Sequence, residues 1–192
     1  MTQPPRRRPF FSLGLLIGVA AVVAYRSLPP PALPMPADES AFIRAVADAR
    51  AAWLSAPNDL AKTGMRQARA AVICQAIPTR TATGWMGRIV SVEPNTLPDF
   101  AGKTTARVVI ALDAHLRLAT PSNPVMNLPG SMIEAGTPLY EEAATLRAGQ
   151  AIMFSGKFSA DGADCVAETS FLTDGSMREP VFRIELEDIK GK

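Results

Sequence analysis

The hydrophobic period changes at Pro78, and this limits the fold more than any other feature of the chain. Ahead of it, apolar residues recur at helical spacing. Behind it, they alternate or gather in short β-branched runs bounded by Gly and Pro. Helices first and strands second is the order of an α+β domain. In AFIRAVADARAAWL, Phe42, Val46, Ala49 and Trp53 form one apolar stripe, with Arg44, Asp48 and Arg50 largely off it. Alanine, the best helix former, is abundant there. Pro57 cannot continue the helical ladder, so it ends this helix. Asn58 then reads as the N-cap of a second helix, NDLAKTGMRQARAAVICQAI. Leu60, Gly64, Ala68 and Val72 form one i+4 row, with Ala61, Met65 and Ile73 nearby. Two helices joined by a short turn predict an antiparallel hairpin over 41–78.

Beyond Pro78, TATGWMGRIVSVEP is a strand by composition. ARVVIALDAHLRLAT is a second, bent near Asp113. TPSNPVMNLPG is a loop by its Pro, Asn and Gly content. A short helix is predicted over Pro138–Leu146 with Thr137 as cap. RAGQAIMFSGKFSADGADCVAETSFL reads as strand, turn at Asp161-Gly162, strand, and EPVFRIELEDI as a last strand. Phe154 and Phe158 share a face with Gly156 between them, which predicts inward packing and a close backbone approach. Three strands, a helix and two strands is the order of an OB barrel. The expected fold is therefore α+β: an N-terminal helix, then a helical hairpin packed on a small OB-like β-barrel over 79–192.

The N-terminal helix is the run from Pro9 to Tyr25, 17 residues without a charge. That length is just enough to span a hydrocarbon core of about 30 Å. Arg6, Arg7 and Arg8 precede it and only Arg26 follows closely, so the expected topology is N-terminus in, remainder out. A cleaved secretory signal has the same layout. Val22-Val23-Ala24 loosely resembles a small-residue cleavage site, and Arg7-Arg8 with Phe10-Phe11 loosely resembles a twin-arginine signal. No polar face exists between Leu13 and Tyr25, which argues against a soluble core helix. Residues 1–26 are thus a signal-anchor or an export signal. Residues 27–40 form a linker with five prolines, extended and semi-rigid. The expected location is an inner membrane, single span, with the C-terminal domain periplasmic; the alternative is a cleaved signal and a soluble periplasmic domain.

Four of the 20 basic residues precede Ala37, so Ala37–Lys192 carries 16 against 18 acidic ones. A dedicated nucleic-acid binder normally shows a basic surplus, so nucleic acid is disfavoured as a partner. The two cysteines, Cys74 and Cys165, form a candidate disulfide, because their count is even and the inferred compartment oxidising. Two buried free thiols are the other reading.

Several short matches carry a resemblance. They are Arg69 with Cys74, Trp85-Met86-Gly87, Leu146-Arg147-Ala148-Gly149-Gln150, Phe154-Ser155-Gly156-Lys157-Phe158, Glu168-Thr169-Ser170, and Gly175-Ser176-Met177. On these residues the run Phe42–Ile189 resembles a family of uncharacterised bacterial membrane-anchored or exported proteins with an OB-like domain, similar to the tRNA anti-like group. The resemblance implies a fold and no catalytic residues.

The chemistry in the sequence is sparse. His115 is the only histidine, two residues from Asp113 in the second strand, and reads as a surface or rim residue. One His and two distant Cys fit no zinc site. No phosphate loop occurs, and Gly102-Lys103-Thr104 lacks the upstream glycine. The cysteines are not in a CxxC arrangement. Glu141-Glu142 and Glu185, Glu187, Asp188 read as solvated acidic faces. No cofactor is expected. The function expected is a non-enzymatic, envelope-anchored OB-like domain, held by residues 9–25, that binds a protein or another envelope component. The alternative is an OB-type binder of single-stranded nucleic acid or oligosaccharide, with Trp85, Arg88, Arg107 and Lys157 as its ligand face.

Overall fold

A computed structural model describes residues 35–95, 102–122, 132–161, 165–170 and 172–192. The apolar run at 9–25, most of the proline-rich linker and the turn at Gly162 lie outside the described residues. No helix among the described residues is long and apolar enough to cross a membrane.

Helix α1 spans Ala37–Ser55, so it begins inside the expected linker. Pro36 fixes an extended entry, and Asp38 sets negative charge against the positive end of the helix. Phe42, Val46 and Trp53 of the expected stripe are buried, together with Ala45. Helix α2, Met65–Ala76, starts seven residues later than Asn58. Asn58 does cap, but its Oδ1 accepts the Ala61 N–H at 3.0 Å and closes a turn. The helix itself opens at Gly64, whose φ of 79° suits glycine. The i+4 row is not the buried face: Leu60 and Val72 face solvent, and Arg69, Ala70 and Ile73 are the buried residues. The two helices pack on each other.

Strand β1 (Thr81–Pro94) is long enough to serve two partners. Its first half pairs antiparallel with β5 (Ala151–Phe158), its second half with β2 (Thr105–Ala111). Arg88 is the shared position, opposite Ala151 and Ala111. The second expected strand divides at Asp113 into β2 and β3 (Arg117–Ala119). Asp113 Oδ1 accepts the N–H groups of His115 and Leu116 at 2.7 and 2.8 Å, which turns the chain there. β3 pairs parallel with β8 (Val181–Gly191), and β8 pairs antiparallel with β5. The order β1-β5-β8-β3-β2 closes by the β1–β2 pairing into a five-stranded barrel. With one parallel pair and a helix between β3 and β5, this is an OB-like barrel. A two-residue strand β4 (Ile133–Glu134) extends β2, and β6 (Ala160–Asp161) with β7 (Cys165–Val166) make a separate small ladder.

Helix α3, Pro138–Thr145, has proline in its first turn and Thr137 as cap, the hydroxyl accepting the Tyr140 N–H. A six-residue helix α4, Thr173–Arg178, was not foreseen. Core side chains point inward from every barrel strand, among them Trp85, Ile110, Leu118, Phe154 and Phe182. Gly156 is required: a Cβ there would collide with the Glu185 carbonyl. α1 covers one end of the barrel through Phe42, whose ring centroid is 5.4 Å from Trp85 and 5.2 Å from both Phe158 and Phe182. α3 packs on β8, and its C-cap Leu146 lies beside Gly191 at the far end of that strand.

Candidate functional site

The features that set this barrel apart lie in the connection from β5 to β8 and in the helices that receive it. That connection carries β6, β7 and α4, and four side chains of α1 and α2 fasten it: Arg50, Trp53, Arg69 and Cys74. Cys165 is disulfide-bonded to Cys74 of α2, with Cα atoms 5.9 Å apart. The Arg69 guanidinium donates through Nη1 to the Ser176 carbonyl at 2.7 Å and through Nη2 to the Ser176 hydroxyl at 3.1 Å. It also forms an ion pair with Glu168 and lies over the Phe182 ring, 5.4 Å from the centroid. The Trp53 indole N–H reaches Asp174, and Arg50 donates to the Arg178 carbonyl. The side chains of Arg69 and Glu168 are 2% and 1% exposed. Burying two charges is costly, and only close pairing with further hydrogen bonds offsets it. The guanidinium has those bonds. Arg69 and Cys74 of α2 thus share one junction with Cys165, Glu168 and Ser176, about 90 or more residues away in the chain.

A second polar contact fixes the start of α1. Both carboxylate oxygens of Glu39 lie 3.1 Å from the Met86 N–H, and Asp38 accepts the Trp85 indole N–H at 3.1 Å. Glu39 is fully buried, and burial pushes its carboxyl up to about 7. The Met86 N–H opposes that rise, and the neighbouring Asp38 charge adds to it. Sequence reading placed both acids at the end of a linker. Their contacts are 47 residues away in the chain, and no local pattern announces them.

The expected ligand face is not assembled. Trp85 is fully buried in the core, between Phe42, Phe154 and Phe158. Strand alternation sends its ring inward, so it offers no stacking platform. Arg88 is exposed and donates to the Gly149 carbonyl. Lys157 is exposed and paired with Glu187 at 2.7 Å. Register puts Lys157 opposite Thr81 and Arg88 opposite Ala151, so they sit roughly 20 Å apart along the sheet. Arg107 is half-buried on β2, opposite Glu93. The outward β2–β3 surface between them holds Val109 and Ala119, both buried and outside the barrel core cluster. Among the described β2 and β3 residues of this face, Arg107, Val109, Arg117 and Ala119, none is aromatic.

His115 stands exposed in the β2–β3 turn, not in a strand. The Asp113 carboxylate beside it is engaged by backbone N–H groups. No cluster of three or more His, Cys, Asp or Glu able to hold a metal occurs among the described residues. Open clefts among the described residues include two, one at the helices and one at the barrel rim. One, of about 640 Å³, lies between Trp53, Lys62, Arg66, Asp161 and Thr173. The other, of about 520 Å³, is lined by Met35, Met86, Gly87, Arg88, Leu112 and Asp113 where β1 and β2 diverge.

No known protein family, curated protein or solved structure matches this chain.

Proposed function

We propose that this chain is a non-enzymatic binding module whose OB-like barrel lies outside the cytoplasm. Residues 9–25 hold it at an inner membrane, the proline-rich segment spaces it, and its partner is a protein or another envelope component. The Cys74–Cys165 bond carries this reading, because disulfides persist in oxidising compartments and are rare in the cytosol. The basic-then-apolar start of the chain agrees with export. Support for a protein partner over single-stranded nucleic acid comes from Trp85, the one aromatic residue of the expected ligand face, which is buried in the core and offers no stacking platform. A slight acidic surplus after Ala37 points the same way. A binding role rather than catalysis draws support from the sole histidine, exposed in a turn beside an acid that serves the backbone.

The test is thiol labelling in intact, rapidly alkylated cells. Maleimide uptake only after denaturation and reduction supports the exported reading. Labelling of both cysteines on denaturation without reduction sinks it. Retention of the chain on single-stranded DNA, lost on Arg88→Ala with Arg107→Ala and Lys157→Ala, would restore the nucleic-acid alternative.

A further inference from the structure

We propose that Met35, Met86 and Met153 form a thioether site for a soft monovalent cation, Cu(I), on the outer face of β1 and β5. The inference goes beyond the binding role above and does not depend on it.

Three observations carry it. First, register sets two of the thioethers side by side. Met86 lies opposite Met153 in the β1–β5 ladder. The Ile89 N–H donates to the Gln150 carbonyl, whereas the Met86 N–H turns away from β5 to Glu39. Alternation along β1 thus makes Met86 and Met153 a non-hydrogen-bonded pair, the kind with Cα atoms about 4.5 Å apart and side chains closest. Their neighbours Trp85 and Phe154 point into the core, so both methionines point outward, and each is half-buried. Second, a third thioether borders the same place. Met35, 47% exposed, lines the cleft at the barrel rim together with Met86 and Ala151. Ala151 is two residues from Met153 on the same face of β5. Third, the Met86 sulfur faces a positive charge: the Lys192 Nζ lies 3.2 Å from its Sδ. A sulfur lone pair is thus open to a cation from outside the sheet.

The chemistry selects the ion. Soft thioethers favour Cu(I), whereas carboxylates and carbonyls suit Mg, Ca and Mn. The carboxylates beside this place, Glu39 and Asp113, are engaged by backbone N–H groups, so the thioethers are the donors on offer. Both cysteines are joined in the disulfide and hold no thiolate for a metal. A single positive charge needs no carboxylate to neutralise it, and neutral sulfurs can share it. Methionine also fills gaps in cores, as the buried Met177 does, but these three stand at the surface. Lys192 is exposed on a flexible stem, and its ammonium swings out when the ion takes its place.

The experiment is a titration of the purified full chain in detergent, its disulfide intact and its methionine methyls isotope-labelled for NMR. Ag(I) is the probe, a soft monovalent cation that needs no reductant and so spares the disulfide. Expected is saturable binding with methyl shifts at Met35, Met86 and Met153. Loss of an outer-shell partner already costs about 10–100-fold in metal affinity, so Met86→Leu with Met153→Leu should cost at least that. Leucine is close to methionine in volume, and the melting temperature of the double variant checks its fold. Lys192→Ala should tighten binding by about fivefold, the effect of removing one unit charge at about 4 Å in water. Cu(I), added anaerobically against a chromogenic chelator, should show the same dependence, and Zn(II) should shift none of the three methyls. Absence of Ag(I) binding overturns the proposal. So do methyl shifts confined to other methionines, and affinity unchanged in a double variant that melts like the parent. If the double variant does not fold, Met35→Leu, which lies off the sheet, and the methyl shifts of the parent decide. The titration needs no membrane, so its failure is separate from failure of the cell labelling.

Discussion

Two segments outside the barrel are tied to it by different means. α1 is held by apolar shape: Phe42 fills a socket of three aromatic rings, and Ala45 and Val46 are buried beside it. Its polar contacts, Asp38 and Glu39, fix where the helix starts. The β5–β8 connection is held to β8 by backbone hydrogen bonds at Ser159, Ala167 and Thr169, and to the helices by a disulfide, a buried ion pair and side-chain hydrogen bonds at Trp53 and Arg50. The contrast follows from composition. α1 is a 19-residue helix with a continuous apolar stripe, and its burial can offset the entropy of ordering it. The connection has only short regular elements and few large apolar residues, and its backbone hydrogen bonds to β8 are confined to Ser159, Ala167 and Thr169 among the bonds seen. Discrete polar and covalent links replace bulk burial there, and each is more sensitive to conditions than a packed ring.

The comparison can be broken at several points. Phe42→Ala should destabilise the fold by about 3–5 kcal/mol, since a large side chain leaves a void among rings that cannot collapse. Urea unfolding followed by circular dichroism measures it, and a loss below 1 kcal/mol would remove α1 from the core. Glu168→Ala should cost about 3–5 kcal/mol, because it strands a buried guanidinium. Arg69→Met combined with Glu168→Leu should recover most of that loss, within about 1 kcal/mol of the parent. A double variant as unstable as the single one would mean the pair is a net fastener after all.

Acidity sharpens the other side. Folded, Glu39 keeps its proton to about pH 7, against an ordinary value of 4.5. Between those values the unfolded chain sheds a proton that the folded chain retains. Stability should therefore fall as pH rises from 4.5 through 7, then level off. Melting temperatures across that window should show the slope, and Glu39→Gln should flatten it. The smallest effect is expected at Lys157→Ala, which breaks an exposed pair with Glu187 and should leave the melting temperature unchanged within error.

Much of this was legible in the sequence because it depends on local rules. The period change at Pro78, the Thr137 cap with Pro138 and the inward Phe154 and Phe158 around Gly156 all follow from neighbours in the chain. The misread start of α2 has a definite cause. Asn58 caps a turn as readily as a helix, and only the left-handed Gly64 decides where the helix begins. α4 escaped because a six-residue helix containing Gly175 has neither the length nor the propensity to show a period. The expected ligand face failed for a related reason. Alternation tells which residues share a side of one strand, but the distance from Arg88 to Lys157 depends on how far apart they lie along β1 and β5. The junction of Arg69 with Glu168, and that of Glu39 with Met86, are long-range contacts that no period encodes.

The Cys74–Cys165 bond also changes how the domain would respond to tension. If the two ends of the folded unit are pulled apart, the load runs from Met35 through α1 and α2 to Cys74, crosses to Cys165 and continues into β8. The 91-residue separation between the cysteines is bypassed. At about 3.5 Å per residue, roughly 300 Å of chain is withheld from extension. The strands β1, β2, β3 and β5 lie inside that protected loop. A tethered copy under load would yield at its helices and at β8, and the rest of the barrel sequence could not be drawn out until the bond was cut.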